Sequence, residues 1–337
     1  MPPLVRALTP ADRAEAKAIW RTRFDDSPAF TDWFFSERFS PETSFCAEEN
    51  GSIISIAHGS PMRLNVRGVS LPAMMVSGVA TLPGNEGRGL MKRVMHALLE
   101  HCRGQNIPLA FHTPSHFSIY RAIGEFPCSN ARLYKKPSAP AIPVEWDDVP
   151  PAEELLEVYR MATSRYSGCV LRDAAQMKRR IRNLLCDGGR YLSLRMDGRM
   201  EGYLFASPDE DGLYCEEALC RTPESYPALV SRLPKGTRVK LPPDAMLPGK
   251  PYPQGIVVPV DVSYLLKTFC GRPEAFRLRV VDSFLSWNDG LFDGAGSQTD
   301  APPTDTLSIG RLSQFLCGYL PFRDLFGECI CFCADEY

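Results

Sequence analysis

Gly84, Gly87 and Gly89 in LPGNEGRGLM stand at the mouth of a periodic apolar segment. Glycine lets the backbone take positive φ and approach a ligand with no Cβ in the way. Leu90, Met91, Val94, Met95, Leu98, Leu99 and Cys102 then recur at spacings of three and four, which predicts a one-sided helix ending near Gly104. The start of such a helix presents unpaired N–H groups and a positive dipole end, so the loop is suited to an anion such as a pyrophosphate. A nucleoside-triphosphate loop would place Lys and Ser or Thr directly after the last glycine, where Leu90 and Met91 stand. A dinucleotide fingerprint would want a small residue at Lys92. A plain strand-turn-helix packing unit accounts for the same residues.

Two further sets of side chains have the types for chemistry. Cys329, Cys331 and Cys333 alternate in ECICFCADEY, so on a strand they share one face, with Ile330 and Phe332 on the other. C-x-C-x-C is not a usual zinc spacing, and packing is the preferred reading. His112 and His116 are four apart, but Pro114 between them breaks a shared helical face. No metal site is expected.

Composition narrows the class. The chain has 337 residues, enough for two or three domains, and 44% are hydrophobic, enough to supply their cores. A net charge of −2 without a block of like charges argues against a nucleic-acid surface. No apolar run approaches the ~20 residues of a membrane span, and MPPLVRALTPADRAEA lacks the apolar core of a secretion signal. A cytoplasmic protein is therefore expected, with its 12 cysteines reduced and mostly buried.

The elements that must carry these residues alternate between helix and strand. A helix is expected from Thr9, with Thr9 as N-cap and Pro10 at the first helical position. Strands follow at Ser44 to Ala47, Ile53 to His58 and Met62 to Val66, with an Asn50-Gly51 hairpin turn. A strand from Pro72 to Thr81 leads into the glycine loop, and a short strand at Leu109 to His112 precedes a brief helix at Ser118 to Ile123. The proline-rich stretch KKPSAPAIPVEWDDVPPAEE reads as a linker. Beyond it two helices and a hairpin turning at Asp197-Gly198 repeat the opening of the first unit, without a second glycine loop. A second proline-rich stretch, LPPDAMLPGKPYP, closes this part. The remainder offers strands GIVVPVDV and FRLRVVDSFLSWND, a helix IGRLSQFLCGYL and a terminal strand. The expected fold class is mixed α/β in three units, 1–136, 137–253 and 254–337.

The glycine segment resembles the acetyl-CoA loop of the GNAT N-acetyltransferases, in which Pro, then Arg/Gln-x-x-Gly-x-Gly/Ala, opens a helix onto the cofactor. Counted from Pro83, the slots fall on Glu86, Gly89 and Met91, so the first and third depart. With FSIYRAIGEF, VVDSFLSWNDGLF and LSQFLCGY in this order, the whole chain is similar to the Eis (enhanced intracellular survival) family of acetyltransferases. That resemblance implies a GNAT domain, an incomplete second GNAT-like domain and a sterol-carrier-like third domain that delivers the C-terminus to the active site.

It further implies acetyl-CoA as cosubstrate and Tyr120 as general acid, with the α-carboxylate of Tyr337 as general base. Val79, Ala80 and Thr81 would line the pantetheine. Gly87, Arg88, Gly89 and Leu90 would line the pyrophosphate, with Glu86 turned outward and Arg88 supplying charge. Asp25, Asp26 and Glu336 would attract a cationic amine, with Trp33 and Phe30 as walls; an N-cap role for Asp25 and Asp26 and a solvated tail for Glu336 compete with this. The implied activity is acetyl transfer to a primary amine of a small molecule or a lysine side chain, in a homo-oligomer. The alternative is a non-catalytic acyl-CoA or lipid-binding protein.

Overall fold

The computed structural model describes residues 2–140, 143–148 and 150–335. The first part contains β1 (Leu4–Ala7), α1 (Arg13–Arg23), α2 (Pro28–Glu37), β2 (Ser44–Glu49), β3 (Ser52–Val66), β4 (Val69–Thr81), α3 (Leu90–Gly104), β5 (Leu109–His112) and α4 (Phe117–Arg121). Thr9 and Asp12 form a reciprocal capping box, with Pro10 in the single 3₁₀ turn that precedes α1. Asn50 and Gly51 both take positive φ, as a two-residue hairpin turn needs. The two strands expected between Ile53 and Val66 are one strand, β3. Its Pro61 is tolerated because β2 ends opposite His58 and a later strand joins only at Leu64, which leaves β3 an outer edge between them.

The middle part contains β6 (Asn130–Lys135), α5 (Ala152–Thr163), β7 (Cys169–Val170), α6 (Ala174–Cys186), β8 (Arg190–Met196), β9 (Arg199–Asp209), β10 (Gly212–Cys220), α7 (Tyr226–Ser231), β11 (Arg238–Leu241) and β12 (Lys250–Pro253). Asp197 and Gly198 make the expected positive-φ turn. The second sheet runs β12-β6-β11-β10-β9-β8, and β10 pairs with β11 in parallel. Two helices, three antiparallel strands, a helix and a parallel strand thus repeat the order of the first part. The linker is not loose: Val144 and Trp146 pack on this core, and Asp147 accepts hydrogen bonds from the Ser193 N–H and Oγ.

Pairing crosses the expected boundaries. The first sheet runs β1-β2-β3-β4-β5 and ends in β13 (Ile256–Pro259), while β7 pairs with β3. β6, which precedes residue 136, belongs to the second sheet, and β12, in the proline-rich stretch that closes the 137–253 unit, is a strand of the same sheet. GIVVPVDV is shorter as a strand than expected, because Asp261 caps a new helix, α8 (Val262–Phe269), by accepting from the Tyr264 N–H. The last part adds β14 (Arg277–Val281), β15 (Gly290–Asp293), β16 (Asp305–Ser308) and α9 (Ile309–Cys317). Among the described residues the terminal segment forms no strand; Cys331 makes one isolated bridge, to Ser167. Its sidedness also differs from a simple alternation, since Phe332 is buried and Ile330 is exposed.

Burial locks the first sheet on both faces. Val94, Met95, Leu98 and Leu99 of α3 pack on Met74, Val76 and Ala110. Trp20, Phe30, Phe34 and Phe35 of α1 and α2 cover Cys46, Ile56 and Ala80 on the other side. Each fully buried large apolar side chain contributes about 1.5–3 kcal/mol relative to exposure, so the strands are held firmly where they meet the site. Among the described residues no helix is long and apolar enough to cross a membrane.

Candidate active site

β4 and β5 pair in parallel from Ala73 with Leu109 to Met75 with Phe111, and then part. β4 continues to Thr81 while β5 ends at His112. The gap holds a cavity of about 70 Å³ lined by Val76, Ser77, Gly78 and Val79 on one side and His112, Thr113, Pro114 and Ser115 on the other, with Phe24 and Tyr120 completing it. A bulge shapes this edge. Ile56 pairs with Ala80 but His58 pairs with Ser77, so Gly78 and Val79 together oppose one residue of β3. Gly78 has φ 57°, and a Cβ there would sit 2.1 Å from Trp20 Cζ3, so only glycine fits. An open strand edge beside a cleft can pair with an extended amide-containing ligand, as an added strand would. Of the expected residues, Val79 lines the cleft, whereas Ala80 and Thr81 pair across to Ile56 and Ser55.

The glycine loop opens at the start of α3. Gly84, Gly87 and Gly89 have φ of 83°, 74° and 72°, and Gly89 is the N-cap. A Cβ at any of them would meet nothing within 4 Å, so conformation rather than crowding selects glycine. Leu90 turns its side chain into the core and leaves its backbone at the loop.

Glu86 does not turn away from the loop. Its carboxylate folds back to accept the Gly84 N–H at 2.7 Å and pairs with Arg23 at 3.1 Å. Hydrogen bonds from the loop's own backbone and the Arg23 charge hold its pKa below the ordinary value. Arg88 is not free either: it pairs with Glu49 at 2.6 Å and donates to Asn85 Oδ1 at 2.6 Å. The loop thus already holds an anion, its own carboxylate, which shows that its N–H groups suit one. Glu86→Gln keeps an acceptor and removes the charge. Calorimetric titration of CoA is expected to show binding on the order of 10-fold tighter in this variant; weaker binding would mean that the diphosphate lies elsewhere.

Tyr120 projects from the one-and-a-half-turn helix α4 into the cleft, half-buried, with its ring centroid 4.3 Å from that of His112. Burial raises the pKa of the phenol, and the Glu125 charge adds to the rise. Its hydroxyl makes no hydrogen bond among the described residues. His112 does not face His116, which is exposed at the N-cap of α4; its Nε2 lies 2.7 Å from Glu125 Oε2, with both side chains buried. Glu125 Oε1 has no hydrogen-bond partner among the described residues. The sequence reading missed this pair, although EF in YRAIGEF offered a carboxylate five residues past the tyrosine.

A second cavity, of about 520 Å³, lies between α2, α6 and the second sheet, and Asp26, Phe30, Asp187, Asp209, Tyr214, Glu216, Arg238 and Tyr252 line it. Four carboxylates face one guanidinium there. Glu216 is neutralised by Arg180 at 2.7 Å, and Asp209 pairs with Arg238, which leaves Asp26 and Asp187. Asp26 accepts from Trp20 Nε1 at 2.7 Å; burial raises its pKa against that bond, and the Asp187 charge adds to the rise. The N-cap of α2 is Ser27, so neither Asp25 nor Asp26 caps it. Asp25 is exposed and is not among the residues that line the cavity. Trp33 is buried beside a different pocket, with Arg38, Arg172 and Asp335. A third cavity, of about 290 Å³, is lined by Thr113, Pro114, Ser115 and Phe117 together with Tyr252 and Gln254. It shares Thr113 to Ser115 with the cleft and Tyr252 with the acidic cavity, so it adjoins both.

The C-terminal tail is held by buried polar contacts. Arg172 makes two hydrogen bonds to Glu217, at 2.8 and 2.7 Å, and reaches Asp335 at 2.8 Å. Tyr159 donates to Asp335 Oδ2 at 2.9 Å, and Lys240 donates to the Ala334 carbonyl at 3.2 Å. Glu336 and Tyr337 lie outside the described residues.

Residues 4–126 match the family described as acetyltransferase (GNAT) domain. This part of the chain is a GNAT acetyltransferase domain. The match ends before β6, although the GNAT sheet is completed by β13 from much later in the chain. No curated protein matches the sequence. Solved structures match the whole shape at low identity. A probable N-acyltransferase of unknown function from Enterococcus faecalis is 20% identical, with 95% of this chain and 91% of that one covered and a TM-score of 0.74. Eis1 from Mycobacterium abscessus is 17% identical, with 99% and 100% covered and a TM-score of 0.76. Saccharomyces cerevisiae N-myristoyltransferase with bound myristoyl-CoA is 9% identical, with 76% and 82% covered and a TM-score of 0.51. The GNAT domain makes the protein an enzyme of acyl transfer.

Proposed function

We propose that the protein transfers an acetyl group from acetyl-CoA to a primary amine of a small cationic molecule. The observation that carries this reading is an acidic, aromatic-walled cavity that shares Tyr252 with a third cavity, which in turn shares Thr113 to Ser115 with the cleft under Tyr120. Asp26 and Asp187 attract the cation, and Phe30, Tyr214 and Tyr252 supply faces for its apolar or charged parts. The β4 edge from Val76 to Val79 aligns the pantetheine arm. The glycine loop and the N-terminus of α3 take the diphosphate once Glu86 is displaced, and Lys92, exposed on the first turn, supplies a cation.

A base takes the proton from the ammonium, the C–N bond forms, and the C–S bond breaks with Tyr120 donating a proton to the leaving thiolate. For the base we propose the α-carboxylate of Tyr337. Asp335, two positions before Tyr337 in the sequence, is clamped by Arg172 and Tyr159, which supports this role. The order of units, GNAT, incomplete GNAT-like and sterol-carrier-like, is likewise our proposal, supported by the repeated strand order and the whole-length likeness of shape to Eis1.

The test uses the full, untagged chain, acetyl-CoA and a panel of di- and polyamines read by mass spectrometry. Asp187→Asn is expected to raise KM for a polyamine on the order of 10-fold while kcat holds, and to leave KM for a monoamine nearly unchanged. An unaltered polyamine KM would remove the acidic cavity from the acceptor path.

A further inference from the structure

Four cysteines gather where α9, the hairpin between β3 and β4, and the root of the tail meet. Cys329 Sγ and Cys331 Sγ are 4.0 Å apart, and each thiol also donates to the Cys317 carbonyl, at 3.2 and 3.4 Å. Cys128 lies behind them, 3.2 Å from Ser313 Oγ. Cys329 alone of the four is half-buried; the others are buried. Arg67 spans the rim, donating to the Leu316 carbonyl at 2.9 Å and the Phe315 carbonyl at 3.0 Å, and leaves its charge beside Cys329. The described residues hold no group of three or more His, Cys, Asp or Glu placed to bind a metal.

We propose that Cys329 and Cys331 form a reversible disulfide in response to a peroxide, and that this pair sits at the root of the tail as a modification site. The Cys329 thiolate attacks one peroxide oxygen, the O–O bond breaks, and a sulfenic acid and water result. The Cys331 thiol then attacks the sulfenic sulfur, the S–S bond forms, and a second water leaves. Two thiols and one hydrogen peroxide thus give one disulfide and two waters, and a dithiol reverses the change.

Cys329 has the features of the attacking partner. It has access to solvent, a thiol neighbour 4.0 Å away and a cation nearby; contact with that neighbour and the Arg67 charge lower its pKa, while the neighbour's is raised. The most exposed cysteine, Cys186, lacks them: partial burial and the Asp187 charge raise its pKa. Position gives the disulfide its effect. The Ile330 carbonyl accepts from the Ser167 N–H at 2.9 Å and the Cys331 carbonyl accepts from the Asn130 N–H at 3.2 Å. Drawing the sulfurs from 4.0 Å to a bond of about 2 Å moves the backbone between these anchors. The path of the tail toward Asp335 then changes. An effect on turnover rests on the proposed role of the chain end, but the disulfide itself does not.

The experiment treats the full-length native chain with hydrogen peroxide, blocks remaining thiols with N-ethylmaleimide, and maps peptides by mass spectrometry, with acetyl-CoA turnover measured in parallel. The expected result is a peptide carrying both Cys329 and Cys331 lighter by about 2 Da, formed ~10-fold faster than any product at Cys186 and reversed by dithiothreitol. Cys329→Ser should abolish it, and Cys331→Ser should leave a sulfenic acid at Cys329 that dimedone traps. Oxidation of Cys186 first, or no linkage between Cys329 and Cys331, overturns the proposal. Disulfide formation with unchanged turnover keeps the modification site and refutes only the reading of the tail as catalytic.

Discussion

Tyr120→Phe is expected to lower kcat by about 10²–10³-fold while the Kd for CoA and the KM for the amine stay within about twofold. The variant keeps the ring that packs on His112 and removes only the oxygen, so folding and the shape of the cleft should persist. The loss falls on kcat because, in the proposed mechanism, the hydroxyl acts when the thiolate departs, not when either substrate binds. The pH profile supplies an independent check. Burial and Glu125 raise the phenol's pKa from its ordinary value near 10, so Tyr120 stays protonated across the working range. No alkaline fall in kcat from this group is expected up to about pH 10. Single-turnover kinetics with unchanged rates in the phenylalanine variant would assign the proton to another donor. His112, paired with Glu125, would then be the first to examine.

Local chemistry made much of this fold legible. Asn50-Gly51 and Asp197-Gly198 announce their turns because few other residues accept positive φ at both positions. The glycines before Leu90 announce a loop that needs αL backbone, and the three-four spacing after it announces which face α3 buries. The motif FSIYRAIGEF singled out Tyr120, and the side chain lines the cleft. What escaped is what forms between distant residues. Nothing near Ile256 reveals that it will close the sheet beside His112, or that Lys250 to Pro253 will pair with β6. The acidic cavity joins residues from Asp26 to Tyr252, so no window of sequence contains it. Asp261 was legible as a cap and went unread, because the apolar run before it suggested a longer strand. Glu86 shows the opposite limit: its departure from the motif was plain, but only the folded loop reveals that its carboxylate binds the loop's own backbone.

Arg172 is the position where one substitution should cost the most. Its side chain is 2% exposed, and it neutralises both Glu217 and Asp335 while its guanidinium lies 4.1 Å from the centroid of the Tyr159 ring. Arg172→Met leaves Glu217 with Arg180 but without its two-bond partner, and breaking a buried pair in this way costs about 3–5 kcal/mol. Urea unfolding should show that loss in the midpoint with little change in slope. The same network sets an acid limit. Burial would raise the Glu217 pKa, but the Arg172 and Arg180 charges carry it down to about 2, below its unfolded value near 4.5. A carboxyl with a depressed pKa contributes its stability above the unfolded value and loses it as pH falls through the folded one. The contribution, on the order of 3 kcal/mol, is therefore present at neutral pH and lost between about pH 4.5 and 2. In Arg172→Met that acid-dependent part should be much reduced. Activity separates the structural role from the catalytic one. If the tail delivers the Tyr337 carboxylate, the variant loses turnover at temperatures where it is fully folded, and adding residues after Tyr337 to the otherwise unaltered chain abolishes turnover without changing its unfolding midpoint. A C-terminally extended chain with full activity would mean that Arg172 holds the tail for stability alone, and that the base lies elsewhere in the cleft.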